Sequence, residues 1–203
     1  MPKITLKRVW HFLWEDDSVW SWLLNLVLAF VVIKFIVYPG LGWVLGTSHP
    51  IVAVVSGSME HDGNFDGWWV SNALCGNRFC TQGEFYSRYD ISKENFRNFI
   101  FHEGFNTGDI IVLFGTKPEK IRVGDVIVFR SKRAYPIIHR VIDIEETTKG
   151  RVFTTKGDHN PAPGIDDLNI TEDLLIGKAA FRIPYLGWIK IGFVRIIDSV
   201  LHL

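Results

Sequence analysis

Two serines separated by one glycine end an apolar run in PIVAVVSGSMEH, residues 50–61. Ser56 and Ser58 flank Gly57, and Met59 follows them. A turn at this point needs the glycine and one polar neighbour, so the second hydroxyl is unusual. One serine could attack a carbonyl carbon while the other donates a hydrogen bond to the oxyanion that forms. An ordinary turn is the alternative reading of the same residues.

A serine nucleophile needs a base, usually histidine or lysine, and a third group that orients the base. The histidines downstream of the first apolar segment that we consider are His61, His102, His139, His159 and His202. His139 is the most unusual, because PIIHRVIDI places it in the middle of an apolar, strand-like run. A purely structural histidine is the alternative there.

Three aspartates follow His139 in the Gly/Pro-rich stretch TKGDHNPAPGIDD. Asp158, Asp166 and Asp167 could orient a histidine base, although aspartates in such loops more commonly serve turn formation. Lys156 stands two residues before Asp158 and is a candidate base for serine–lysine chemistry. The chemistry indicated is therefore acyl transfer on a serine hydroxyl.

An apolar segment near the N-terminus has the length and composition of a membrane anchor. Val19–Val37 contains one charge, Lys34, and a helix of this length spans roughly 28 Å, close to a hydrocarbon core. Trp and Tyr residues flank it, as they do at membrane interfaces. The run exceeds the ~7–15 residues of a signal-peptide core and no small-x-small site closes it, which predicts a retained membrane helix. A buried core helix is the alternative.

Basic residues predict the orientation of this helix. Lys3, Lys7 and Arg8 precede it, and no Lys or Arg occurs from Tyr38 to Asn77. By the positive-inside rule, residues 1–18 lie in the cytoplasm, 19–37 cross the bilayer, and the rest faces outward. The prediction is a single-pass protein of the cell membrane with the lipid bilayer as a partner. The formal net charge of +0 gives no reason to expect nucleic acid.

The remaining chain predicts a mainly β domain over residues 38–191. Two Gly-Asp turns each precede a β-branched run, and further strand-like runs follow at short intervals. The predicted strands lie in 51–55, 106–114, 122–130, 137–144, 151–155 and 174–189. Residues 61–107 are interpreted as an insertion, with a short helix in DISKENFRNFI capped by Asp90 or Ser92. Residues 192–203 predict an amphipathic helix, with a second span as the alternative.

Two cysteines, Cys75 and Cys80, lie close together in CGNRFC. A location outside the cytoplasm permits a disulfide between them, whereas free thiols or half of a metal site are the alternatives. No second Cys or His pair has zinc-ligand spacing, so neither a metal nor another cofactor is expected.

The motifs in their order resemble one family, type I signal peptidase. VVSGSMEH, GDIIVL, GDVIVF, IIHRV and TTKGDHN…DD follow an N-terminal anchor, and the resemblance covers the anchor, Ile51–Met59 and Gly108–Ile191. A histidine in place of the lysine of the bacterial enzymes points to the archaeal and endoplasmic-reticulum branch. The 61–107 insertion resembles that of some archaeal members.

The resemblance implies a role for each matching residue. Ser58 matches the nucleophile, His139 the general base, and Ser56 the neighbour that helps to hold the oxyanion. Asp158 and a following aspartate match the two family acids, one orienting the histidine and the other supporting the site. We favour Asp167 over Asp166 for the second acid, because the related eukaryotic motif carries a paired acid whose second member matters.

The sequence departs from the family pattern at two places. His61 stands where the family commonly has proline, and Pro161-Ala162-Pro163-Gly164 lengthens the spacing after Asp158. The second departure is what leaves Asp166 and Asp167 both eligible as the second acid.

The implied function is a membrane-bound serine endopeptidase that removes signal peptides from secretory preproteins at the outer membrane surface. Its expected partners are those signal peptides, the bilayer and the translocation machinery. One alternative is a serine–lysine peptidase that uses Lys156. The other is a non-catalytic, membrane-anchored β-domain that binds partners in a secretion assembly.

Overall fold

A computed structural model describes residues 5–133, 135–189 and 191–192 of the chain. The chain divides into two compact units, Met1–Val44 and Leu45–Leu203. The predicted amphipathic segment 192–203 lies, apart from Gly192, outside the described residues.

The first unit is helical. Helix α1 spans Leu6–Trp14, α2 spans Val19–Val32, a π-helical turn covers Ile33–Val37, and α3 spans Tyr38–Leu45. Ser18 caps α2, because its hydroxyl accepts a hydrogen bond from the Ser21 N–H at 3.2 Å. Together Val19–Leu45 form 27 residues of apolar helix, which by length and composition could cross a membrane. Within the described residues it is the only such helix.

The helix extends beyond the predicted span 19–37. Pro39, Gly40 and Gly42 favour a break in the helix after Tyr38, but the helix continues to Leu45. Proline cannot donate a backbone hydrogen bond and crowds the carbonyl one turn before it. The preceding turn widens instead, and the Tyr38 N–H bonds to the Ile33 carbonyl, five residues back. A π turn of this kind lets an α-helix pass a proline without ending.

The second unit is built on a curled antiparallel sheet of seven strands, which confirms the predicted mainly β fold. The strands of the described residues, in chain order, are β1 Ile51–Ala53, β2 Asn72–Cys75, β3 Arg78–Thr81, β4 Ile110–Phe114, β5 Val126–Phe129, β6 Ile137–Thr147, β7 Gly150–Lys156, β8 Ile170–Thr171 and β9 Leu175–Ile183. The order across the seven-stranded sheet is β1-β4-β9-β5-β6-β7-β8, each strand antiparallel to its neighbours. A separate two-stranded sheet pairs β2 with β3.

The two Gly-Asp motifs are tight turns that start β4 and β5. Gly108 and Gly124 have φ of +91° and +94°, a region that glycine adopts without steric cost. Asp109 accepts a hydrogen bond from the Asn106 N–H, and Asp125 accepts one from the Arg122 N–H, each at 2.9 Å. The repeated dipeptide therefore fixes where each buried strand begins.

The 61–107 segment forms its own small aromatic layer. It contains α4 Phe65–Trp69, the β2–β3 hairpin, α5 Gln82–Ser87 and α6 Lys93–Arg97. The predicted helix is α6, and Ser92 rather than Asp90 is its N-cap. Cys75 and Cys80 are joined by a disulfide across the hairpin. The buried cluster of this layer reaches Ile142 of the main sheet and includes Phe65, Trp68, Trp69, Phe85, Tyr86 and Phe96.

Candidate active site

The structure places the hydroxyl of Ser58 against the imidazole of His139. Ser58 Oγ lies 3.0 Å from His139 Nε2. Ser58 sits in the turn after β1, closed by the hydrogen bond from the Glu60 N–H to the Gly57 carbonyl at 3.1 Å. His139 is buried in β6, where its backbone is opposite Ile127 of β5. A half-buried hydroxyl on a turn thus contacts an imidazole that the sheet holds in place.

The other imidazole nitrogen of His139 contacts Asp167. His139 Nδ1 lies 2.5 Å from Asp167 Oδ1, which also accepts the Thr155 hydroxyl at 2.6 Å. Asp167 Oδ2 accepts the Gly164 N–H at 2.8 Å. Burial acts to raise the pKa of Asp167, but these hydrogen bonds, that of His139 first, hold its pKa below the ordinary value. An ionised Asp167 accepts a hydrogen bond from the Nδ1–H group of His139, and in that tautomer the Nε2 lone pair faces Ser58.

Asp166 points elsewhere, although it is the adjacent residue. Its Oδ2 accepts a hydrogen bond from Arg133 Nε at 2.7 Å. Both residues stand in the 3₁₀ turn Ile165–Asp167, where successive side chains diverge by about 120°. The structure therefore brings Asp167, and not Asp166, to the histidine.

The Asp158 carboxylate lies on the side of β6 opposite to the His139 imidazole, and its hydrogen bonds go to other residues. Its carboxylate accepts hydrogen bonds from Arg140 at 2.7 to 3.3 Å, from Tyr86 at 3.1 Å and from His61 Nε2 at 3.1 Å. Because successive strand side chains alternate, Arg140 faces the side opposite to His139. Burial would raise the pKa of Asp158, but Arg140 and His61 together hold it well below the ordinary value.

Two hydrogen-bond donors stand beside the Ser58 hydroxyl. Ser56 Oγ lies 3.3 Å from Ser58 Oγ and is exposed. The backbone N–H of Ser58 has no acceptor among the described residues. Both groups could donate a hydrogen bond to a negatively charged oxygen next to Ser58 Oγ.

Lys156 is buried, and its ammonium is engaged away from Ser58. Its Nζ donates to Gln82 Oε1 at 2.8 Å and to the carbonyls of Gly157 and Asp158 at 3.1 and 3.2 Å. Burial lowers its pKa from 10.5 to about 7, with Asp158 opposing the shift. The titratable group that bonds the Ser58 hydroxyl is His139, and Lys156 makes no hydrogen bond to that hydroxyl.

A groove of about 370 Å³ opens onto Ser58 and His139. One wall follows the chain from β1 into the serine turn, and the other is the start of β6 with the loop before it. Its apolar lining includes Val52, Val54, Val128, Ile137 and Ile138. Arg133 and Asp166 stand on its polar side.

Several residues of the site were not found from the sequence. No role follows from the sequence for Arg140, Tyr86 or Thr155. His61 enters there as a candidate base and as a departure from the family pattern, not as a partner of Asp158. His61 stacks on Trp68 at 3.8 Å between ring centroids, in addition to bonding Asp158. A signal was present for Arg140: an arginine directly after a strand histidine must face the opposite layer, where a buried charge needs a partner.

In the described part of the chain, no group of three or more His, Cys, Asp or Glu residues could hold a metal ion.

No protein-family model matches the chain. The chain is similar to the signal peptidase complex catalytic subunit SEC11C of Homo sapiens, with 27% identity over 178 residues, 81% of this chain and 69% of the relative. SEC11 of Scheffersomyces stipitis is 25% identical over 177 residues, 82% of this chain and 79% of the relative. SEC11 of Lodderomyces elongisporus is 30% identical over 97 residues, 43% of this chain and 56% of the relative. These matches confirm the resemblance to type I signal peptidase: the chain is a homologue of the SEC11 catalytic subunits of the signal peptidase complex.

Proposed function

We propose that this protein is a membrane-bound serine endopeptidase that removes signal peptides from secretory preproteins. The observation that carries the proposal is the continuous set of contacts from Ser58 Oγ through His139 to Asp167, at the floor of an open groove. The homology to signal peptidase catalytic subunits supplies the substrate class.

In the proposed mechanism His139 is the general base. Its Nε2 accepts the Ser58 proton as the serine oxygen attacks the scissile carbonyl, and the resulting imidazolium then protonates the leaving amine. Asp167 stays ionised, holds the imidazole tautomer and stabilises the imidazolium. A water molecule activated by His139 hydrolyses the acyl-enzyme in the second half of the reaction.

The oxyanion needs donors that are already in place. The Ser58 N–H and the Ser56 hydroxyl are our candidates, since both lie beside the attacking oxygen. Loss of one such donor typically costs about 3–4 kcal/mol of transition-state stabilisation. Ser56 is exposed in the free protein, so its hydroxyl reorients without breaking a buried contact.

The groove suits an extended peptide. Among the described residues, β1 is the terminal strand of the sheet and pairs with β4 alone. A substrate can therefore add as a further strand along β1, with side chains directed alternately into the apolar lining.

We propose the cell membrane as the location, with the site on the outer side. The apolar helix Val19–Leu45 and the basic residues before it support this orientation. Signal peptides delivered by the translocation machinery would then reach the site at the bilayer surface. The Cys75–Cys80 disulfide agrees with an extracytoplasmic domain, since disulfides persist in oxidising compartments.

The test is direct cleavage of a substrate. The full-length protein, purified in detergent, is incubated with a secretory preprotein, and the products are mapped by mass spectrometry. We expect one cut at the end of the signal peptide, and none with the Ser58→Ala variant. Absence of cleavage by the unaltered protein, or equal cleavage by Ser58→Ala, overturns the proposal.

A further inference from the structure

The buried ammonium of Lys156 is connected to the serine turn through hydrogen bonds, and the proposed mechanism gives it no role. Lys156, at the end of β7, has 0% exposed surface. Its three hydrogen bonds go to Gln82 of α5 and to the carbonyls of Gly157 and Asp158. The ammonium thus joins the 61–107 segment to the chain that carries Asp158.

One peptide unit connects this cation to the nucleophile. The carbonyl of Asp158 accepts from Lys156 Nζ at 3.2 Å and from Trp68 Nε1 at 3.1 Å. The N–H of the same peptide unit, on His159, donates to the Ser58 carbonyl at 2.9 Å. Because a peptide unit is planar, fixing its oxygen also fixes the direction of its N–H. The position of the Ser58 main chain therefore depends on what holds the Asp158 oxygen.

The protonation of Lys156 decides whether all three acceptors are satisfied. An ammonium has three protons for Gln82, Gly157 and Asp158, whereas a neutral amine has two protons and directs a lone pair at the third oxygen. The rings of Phe85 and Tyr86, with centroids 5.2 and 5.1 Å from Nζ, also favour the cation.

Some of the charged groups around Lys156 raise the pKa of its ammonium, and others lower it. Burial, the largest influence, and Arg140 lower the pKa of Lys156, Asp158 and Asp167 raise it, and the net result is a pKa of about 7. Tyr86 stays neutral, because burial and then Asp158 raise the pKa of its phenol well above the ordinary value. The ammonium is therefore a group whose charge can be lost on the alkaline side of neutrality.

We propose that Lys156, in its ammonium form and held by Gln82, is a positioning residue that orients the Ser58 turn through the Asp158–His159 peptide. On this view the 61–107 segment is part of the catalytic apparatus, since it supplies both Gln82 and Trp68. The inference rests on the proposed function. It adds that activity at high pH is limited by the loss of a proton from Lys156.

The test is the pH profile of preprotein cleavage by the full-length protein and by Gln82→Glu. Glutamate has the shape of glutamine and places a carboxylate at the atom that Lys156 contacts, which typically raises the pKa of a cation by about 1–3 units. We expect the alkaline limb of kcat to move to higher pH by at least about one unit. Asn95→Asp is the matched control, because it adds the same charge at an exposed position of the same segment. That control should leave the limb in place.

Gln82→Met gives the opposite change. It removes one acceptor of the ammonium, so the alkaline limb should move to lower pH and kcat should fall while KM changes little. Thermal unfolding and circular dichroism check that each variant is folded. A residue that served stability alone would lower yield or melting temperature without moving the limb.

Three outcomes overturn the inference: an alkaline limb that stays fixed in both Gln82 variants, a limb that Asn95→Asp moves equally, and an acidic limb that moves instead. The last result would make Lys156 the general base, because a base must lose its proton to act. Failure of the proposed function looks different, since then the unaltered protein does not cleave or Ser58→Ala still does.

Discussion

The backbone of Gly157 lies against the imidazole of His139. A Cβ at Gly157 would stand 2.8 Å from His139 Nε2 and 2.7 Å from the Ser58 carbonyl oxygen, closer than real Cβ contacts allow. The glycine before Asp158 is therefore required by space at the site, since its backbone lies outside the left-handed region.

Gly157→Ala should inactivate the protein without unfolding it. The methyl group has to displace the Ser58 main chain, the His139 ring or both, and a misplacement of about 1 Å can cost on the order of 10²-fold in rate. Cleavage rates measure the effect, with Gly67→Ala as control because its Cβ would meet only Asn64 Oδ1 at 3.4 Å. Equal rates for the two variants would contradict the geometry.

Ser58→Ala and His139→Ala should each remove nearly all turnover, by roughly 10³-fold or more, because the two groups act as a unit. For the same reason the double variant should be little worse than either single one. His139→Lys should not restore activity, since its ammonium must lose a proton and reach Ser58 from a different geometry. Single-turnover cleavage rates test all four proteins. Additive losses would mean that Ser58 and His139 act independently.

Asp167→Asn and Asp166→Asn form a matched pair of variants. The amide that Asp167→Asn introduces would no longer hold the tautomer that leaves Nε2 unprotonated, and in a chymotrypsin-type triad the equivalent change costs about 10⁴-fold in kcat. Asp166→Asn weakens only the partly exposed pair with Arg133, so kcat should stay within a few-fold of the unaltered protein. Comparable losses in both variants would show that the histidine is not oriented by Asp167 alone.

Acid should destabilise the fold through two buried carboxylates. Asp158 and Asp167 have pKa values below the ordinary carboxyl value, so their contribution to stability is full above that value and is lost as pH falls through their folded-state pKa values. The melting temperature is measured over a series of acidic pH values, and it should fall once the pH drops below the ordinary carboxyl pKa. A melting temperature that stays the same across that range would contradict this assignment.

Arg140→Met should destabilise the protein strongly. The guanidinium is fully buried, donates to Asp158 and to the carbonyls of Ile100, Phe101 and Gly124, and lies 4.6 Å from the Phe96 ring centroid. Breaking such a pair leaves a buried carboxylate without its cation, which typically costs about 3–5 kcal/mol. The free energy of unfolding should recover in part in the Arg140→Met/Asp158→Leu double variant. A double variant as unstable as the sum of both singles would argue against this pairing.

The places of Ser58 and His139 in the fold were predicted correctly, because they follow from local sequence. The serine turn after an apolar strand and the histidine inside β6 depend on short-range patterns, as do the two Gly-Asp turns. The choice between Asp166 and Asp167 did not follow from local sequence, because two neighbours in one turn differ only in the direction each side chain takes. The structure separates them through the contacts of Arg133, Thr155 and the Gly164 N–H.

Other features depend on packing between distant segments. The pairing of Asp158 with Tyr86 and His61 joins residues 72 and 97 positions apart, and no periodicity in the chain indicates it. The continuation of the apolar helix past Pro39 required the π turn before it, which propensities for single residues do not predict. The burial of Lys156 also depends on packing between distant segments, so the sequence shows the charge of this residue but not its burial.

The open edge of β1 bears on how accurately a substrate is cut. β1 leads within a few residues into Ser58, so a peptide paired along that edge is placed relative to the nucleophile by its hydrogen-bond register. A slip of one residue moves each carbonyl by about 3.3 Å and turns every side chain to the other face. That distance is as large as the separation between attacking and attacked atoms in a reactive complex, about 3–3.5 Å. In the binding mode that we propose, fidelity at the cleavage site reduces to the free-energy difference between two neighbouring strand registers, to which the apolar side chains lining the groove would contribute.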